Sequence, residues 1–197
     1  MANVKVEAST QDFKDYANHL QGKMLKKLSE TKETELPVIK ATRSAYKATG
    51  KEPSRYRPSA EALLRRLRTK RSLYQINNVV DCINLISMHT HYSIGGFDIP
   101  KIDGEVVCDI GTSDPYKAIG RGELNIEFMP GLRDDQGFFG TPTSDSERTM
   151  VMDHTTQLLL VYYDFHADDS LNKSLDFGIE ILETYCQGKS IQKLIVV

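Results

Sequence analysis

Residues 54–67 read S-R-Y-R-P-S-A-E-A-L-L-R-R-L, and residues 76–104 read I-N-N-V-V-D-C-I-N-L-I-S-M-H-T-H-Y-S-I-G-G-F-D-I-P-K-I-D-G. Together they predict two helices and a strand in close succession. Pro58 presets the φ of a first helical turn, Ser59 is a candidate cap, and Glu61 falls where the helix dipole favours a carboxylate. Leu63, Leu64 and Leu67 then form one apolar face, with Arg65, Arg66 and Arg68 on the other. In the second helix Val79, Val80, Ile83 and Ile86 form a core-facing arc. Asn77, Asp81, Asn84 and Met88 fall on a different stripe, open to water or to a pocket.

Gly95 and Gly96 remove two β-carbons just where the chain is expected to leave that helix. Such a pair permits positive φ or a close ligand approach, and Phe97-Asp98-Ile99 restarts as a strand. The pattern Val79-Val80-Asp81 with Asn84, followed by Phe97-Asp98, Lys101-Ile102 and Gly104, resembles the tRNA-binding editing domain of the β subunit of bacterial phenylalanyl-tRNA synthetase. Residues 58–67, P-S-A-E-A-L-L-R-R-L, resemble small free-standing relatives of that domain. The resemblance covers roughly residues 54–165.

Working outward, residues 10–33 predict an amphipathic helix through Phe13, Tyr16, Ala17, Leu20, Met24 and Leu28. A second helix is expected from Pro37 to Gly50. After Asp98 the period shortens, and strands are expected at 97–102, 105–110, 124–128, 138–139 and 149–165, the last interrupted around Asp153-His154, with glycines punctuating them. Ile119-Gly120-Arg121-Gly122 is a turn between strands rather than a nucleotide-binding loop. Residues 170–187 return to a helical period that Gly188 is suited to end, and residues 191–197 suggest a last strand. The fold class expected is α/β of the α+β kind, a helical N-terminal part on a mixed, mostly antiparallel β-sheet core. Residues 1–53 form a helical extension, 54–165 the editing-like domain, and 166–197 complete that domain.

With 197 residues, 40% hydrophobic and 26% charged, the chain falls in the soluble globular class and is too short to add a synthetase catalytic domain. No apolar run approaches a bilayer span and no signal pattern opens the chain, so a cytoplasmic protein without a membrane partner is expected. Three cysteines without a C-x-x-C suggest buried thiols. The net charge is −2, yet residues 40–71 carry eleven Lys or Arg against two Glu, a local +9 that leaves −11 for the rest. Such a segment can meet RNA phosphate at one place while the body repels it elsewhere, or it can simply be a solvated helix face. No DNA partner, metal or cofactor is expected. His89 and His91 would point apart on a helix and need a third ligand such as His154 or Asp98.

Residues 137–149 gather glycines, hydroxyls and Arg148, a composition suited to a surface loop that can hold polar ligand groups. The resemblance implies more: Asn84 matches the pocket asparagine, and Gly140, Thr141 and Pro142 fall in the loop walling the amino-acid pocket. Gly95 stands where the family has a histidine used in editing, Gly96, Phe97 and Asp98 continue the motif, and Val161 aligns near the glutamate that recognises tyrosine. Two polar editing groups are therefore missing, and valine cannot pair a buried phenol. Asn84, Gly95 and Gly96 are the candidate catalytic residues, by positioning water and offering main-chain donors. Asp98, Gly140, Thr141, Pro142 and Val161 are the candidate substrate contacts, and Arg65, Arg66, Arg68 and Arg148 the candidate tRNA contacts. The function expected is binding of a tRNA acceptor end with hydrolysis of a misacylated amino acid in trans. The alternative is a non-catalytic RNA- or small-molecule-binding module with a degenerate pocket.

Overall fold

A computed structural model describes residues 1, 3–69 and 75–196. Lys70 and Arg71, part of the basic segment, lie outside them. Among the described residues five α-helices, α1 (Gln11–Leu28), α2 (Pro37–Thr49), α3 (Ser59–Arg68), α4 (Asn78–Thr90) and α5 (Ser170–Cys186), accompany three small antiparallel sheets. The first sheet pairs β1 (Ser93–Asp98) with β7 (Leu158–Tyr163). The second has the order β2-β5-β6, from Val107–Ile110, Pro130–Asp134 and Gly137–Gly140. The third is a hairpin of β3 (Lys117–Ala118) and β4 (Gly122–Glu123). The fold is α+β, with every named strand pair antiparallel.

The largest apolar cluster joins Phe13 and Ala17 of α1, Leu64 and Leu67 of α3, Val79 and Ile86 of α4, and Ile181 of α5. The helical extension therefore shares its core with the rest. Asn78 adds a polar clasp: its carboxamide donates to the carbonyls of Lys5 and Tyr185 and accepts from the Glu7 N–H. These bonds hold the N-terminal segment and the end of α5 against the first turn of α4. A second cluster, Phe97, Leu132, Phe139 and Tyr163, fills the space between β1/β7 and β5/β6. Alternation explains it, because Phe97 and Tyr163 project from one face of the ribbon while Ile94 and Tyr162 project from the other, toward the helices.

Several local expectations change once tertiary contacts are present. Gly95 and Gly96 do not form a turn but lie inside β1 opposite Val161 and Leu160. Alternation then sends their missing side chains to opposite faces. A β-carbon on Gly96 would come within 2.5 Å of Ile83, and one on Gly95 within 2.5 Å of the Phe97 ring. Gly95 is therefore required beside the rigid Phe97 ring, whereas a side chain on Gly96 meets only the Cδ1 end of Ile83, so Gly96→Val would push that side chain of α4 aside. Ser59 is not the cap of α3; Pro58 holds that place, and the Ser59 N–H donates to the Pro142 carbonyl at 2.8 Å. α1 ends at Leu28, where Ser29 turns its hydroxyl back to the Lys26 carbonyl. Gln187, not Gly188, takes the left-handed position after α5. Residues 124–128 form no strand, the strand expected over 149–165 shrinks to Leu158–Tyr163, and 191–196 have no partner strand.

Candidate functional site

α3 buries Ala60, Leu64 and Leu67, so its helical period turns Ala62, Arg65, Arg66 and Thr69 outward. These side chains, with Arg57 and Ser59 before them, form one wall of a cavity of about 690 Å³. Asn84 of α4, Arg121 of the β3–β4 turn and Thr143 from the segment after β6 complete it. Four arginines, an asparagine, a serine and two threonines are among the residues lining this space, with no Asp or Glu among the described ones; the Thr143 hydroxyl is already engaged by Tyr46 and Tyr56, and that of Thr69 by the Arg66 carbonyl. Such a wall favours an anion with many acceptor oxygens, as a nucleotide phosphate and ribose present.

Part of the rest of the basic segment is tied down within the fold. Glu61, 2% exposed, takes Arg43 at 2.8 Å and Arg57 at 3.1 Å, so it braces two elements rather than sitting solvated in a first turn. Arg68 pairs at 3.0 Å with Glu33, itself 3% exposed. The Lys51 ammonium donates to the carbonyls of Asn125 and Glu127 and lies 3.8 Å over the Tyr56 ring. Of the four arginines expected at RNA, Arg65 and Arg66 line the cavity, while Arg68 is engaged by Glu33. Arg148 is held at 2.8 and 3.0 Å by Asp134 and lies over the Phe139 ring. Arg57, Arg121 and Thr143 line the cavity without having been singled out by the sequence. Arg121 belongs to the turn at 119–122, where Gly120 and Gly122 both take positive φ.

The remaining candidates gather behind this cleft. Gly140 joins Gly95 at the Phe97 ring, since a β-carbon on either would meet the ring tip at 2.5 Å. That ring stands edge-on to Phe139, centroids 4.9 Å apart, so aromatic rings fill the space between the two glycine segments. Val161 lies opposite Gly95. The Thr141 hydroxyl donates to the Ser144 carbonyl and accepts from the Thr143 and Ser144 N–H groups, shaping the loop around Pro142. Thr143 accepts from the Tyr46 hydroxyl and donates to the Tyr56 carbonyl. Asp98 is buried beside Lys101 at 3.6 Å. The structure thus brings Asn84, Arg65 and Arg66 together and sets Gly95, Gly140 and Val161 around a filled aromatic contact.

One further carboxylate lies at this junction. Asp145 accepts the Gly96 N–H through Oδ2 at 3.1 Å, and its own carbonyl accepts from Ile119. Burial pushes its carboxyl up to about 8, against the opposing effect of the Gly96 hydrogen bond. In the unfolded chain the group ionises near pH 4, so folding is penalised as pH rises from there, until the native carboxyl also ionises near 8. Stability is expected to fall by at least about 1 kcal/mol between pH 5 and pH 8. Asp145→Asn, which keeps an acceptor for Gly96, should flatten that dependence in denaturant titrations at the two pH values.

Among the described residues no group of three His, Cys, Asp or Glu could hold a metal ion. His89 stacks on Phe177, and burial takes His91 down to about 4. None of the described helices is long and apolar enough to cross a membrane. The family model for the B3/4 domain, the domain found in the β subunit of phenylalanyl-tRNA synthetase, matches residues 41–190, a wider span than residues 54–165. No curated protein matches the chain significantly. The chain belongs to the B3/4 domain family.

Proposed function

We propose that this member of the B3/4 domain family binds the acceptor end of an aminoacyl-tRNA in its arginine-lined cleft and hydrolyses a misattached amino acid there in trans. The observation that carries the reading is the lining itself: Arg57, Arg65, Arg66 and Arg121 around Asn84, with no carboxylate among them. Guanidinium groups suit phosphate oxygens, and an amide on the wall can hold a ribose hydroxyl or a water. Hydrolysis would proceed by addition of water to the ester carbonyl carbon. The carbon–oxygen bond to the ribose then breaks, the ribose oxygen takes a proton and the amino acid leaves. Asn84 positions the water, and the vicinal ribose hydroxyl assists.

A second reading, a binding module without catalysis, is favoured by the filled contact at Gly95, Gly140 and Phe97 and by the Gly96 N–H already bound to Asp145. Neither leaves a bare main-chain donor of the kind an oxyanion needs. A panel of mischarged tRNAs separates the two. Hydrolysis of at least one, lowered about 100-fold or more by Asn84→Ala with little change in melting temperature, is the expected result. Retained binding with no hydrolysis across the panel would select the binding module.

A further inference from the structure

Phe128 presents its ring to solvent, 51% exposed, from a backbone at φ +64°. It is the third residue of a turn closed by the Met129 N–H on the Ile126 carbonyl at 2.8 Å. Gly or Asn ordinarily fills such a place, because a β-carbon in the left-handed region is crowded by the following carbonyl. The surroundings hold this turn as it is. Ile126 and Met129 are buried in the cluster with Tyr46 and Tyr116, and the Phe128 N–H donates to the Gly111 carbonyl at 2.9 Å. The root of the ring lies beside Gly50 at the end of α2, where a β-carbon would stand 3.9 Å from Phe128 Cγ. Among the described residues no other aromatic ring and no cation packs on its face. A half-exposed phenyl on a disfavoured backbone is an arrangement that folding alone does not call for.

We propose that Phe128 is a stacking platform for one unpaired base of a bound RNA strand. That the end of the same strand lies in the arginine-lined cleft rests on the function proposed above. Lys51 and Tyr56 join the ring to the cleft. The Lys51 ammonium donates to the carbonyl of Glu127, the residue before Phe128, at 2.8 Å and lies 3.8 Å over the Tyr56 ring. The Tyr56 carbonyl accepts from the Thr143 hydroxyl at 3.1 Å, and the next residue, Arg57, lines the cleft together with Thr143. Arg55 is exposed, lies 5.4 Å from the centroid of the same Tyr56 ring, and forms no ion pair among the described residues. Guanidinium groups at Arg57 and Arg55 therefore mark the way from the cleft toward Phe128, where phosphates would pass, and a π face suited to a base stands at its end. The two carboxylates along this way are engaged: Glu52 accepts the Ser54 N–H, and Glu127 acts as a counter-charge on the Lys51 ammonium. A phenyl contact of this kind reads the flat ring of a base and is largely indifferent to which base it is.

The test measures, by fluorescence anisotropy at two salt concentrations, the affinity of a short single-stranded RNA ending in C-C-A-3′-OH. It compares wild type, Phe128→Asn, Phe128→Gly, Phe128→Tyr and a variant carrying Arg65→Ala with Arg121→Ala. Asparagine and glycine both tolerate the left-handed backbone, so melting temperatures should stay within a few degrees of wild type. For these two variants affinity should fall about fivefold or more, while the slope of log K against log salt keeps its wild-type value, because a base contact is lost and no phosphate contact. Phe128→Tyr, which keeps the π face, should bind within about twofold of wild type. Unchanged RNA affinity in Phe128→Asn and Phe128→Gly, whatever their effect on self-association, overturns the platform and leaves the cleft reading standing. A loss that Phe128→Tyr shares, or one that flattens the salt slope, overturns it as well. If the double arginine variant binds as tightly as wild type while Phe128→Asn does not, the cleft reading falls and the platform stands; if wild type binds no RNA, both fall.

Discussion

Arg148→Ala is expected to lower folding stability by about 3–5 kcal/mol, the cost of leaving a buried charge without its partner. Asp134, fully enclosed by its neighbours, receives both terminal nitrogens of Arg148. Burial works against its charge, but the hydrogen bonds from Arg148 and from the main chain of Asp103 and Gln136 hold its carboxyl below the usual range. Arg148 also donates to the carbonyls of Lys101 and Gly137, joining the turn after β1, strand β5 and the start of β6. Because the native carboxyl is depressed, this contribution is present above pH 4 and is lost as pH falls through the native value. Denaturant titrations of the variant at pH 7 and pH 3 should therefore differ most from wild type at pH 7. Its affinity for RNA, measured per folded molecule, should be unchanged.

The second large effect is on binding. Arg65 and Arg121 both face the cleft, and neither forms an ion pair among the described residues. Replacing both with alanine should cost about 10- to 100-fold in affinity for a tRNA acceptor-stem RNA at 0.15 M salt. The slope of log K against log salt should flatten by about 0.7 for each lost single-strand phosphate contact. Melting temperature should stay within a degree or two, since both side chains are exposed. Arg57 is a poorer choice for this experiment because it braces Glu61.

What the sequence made legible follows from the range of the interactions involved. α3 and α4 were readable because a 3.6-residue period is written in neighbouring residues, and the outward set of α3 contains Arg65 and Arg66, which line the cleft. Asn84 was readable from its stripe and from the family pattern. The same stripe misleads at Met88, which is buried, and at Asp81, which receives the Ser9 hydroxyl from a segment far away in the chain. The Gly95-Gly96 pair reads locally as a turn because two missing β-carbons are visible in the sequence, whereas the Phe97 ring that excludes a side chain at Gly95 is brought there only by the fold. That Arg148 pairs with Asp134 and that Arg121 lines the cleft were not legible for a similar reason. An acidic partner at Asp134 and a cleft beside a hairpin turn leave no mark on adjacent residues. Residues 191–196 carry strand-forming side chains, but Leu194 is 82% exposed and no strand is there to pair with them. Asp145 has no helical or strand period to mark it, and only its position against β1 distinguishes it from the hydroxyl-rich loop around it.

The cleft between α3, Asn84 and the β3–β4 turn is the proposed seat of an RNA acceptor end. The most direct measurement is an NMR titration with a short RNA ending in C-C-A-3′-OH, following the Asn84 carboxamide and the Thr143 amide at two salt concentrations. Both signals are expected to move together and saturate, at several-fold higher RNA concentration in the higher salt, while those of 191–196 stay in place. Shifts confined to other surfaces, or none at Asn84 and Thr143 when the RNA is bound, would contradict the account.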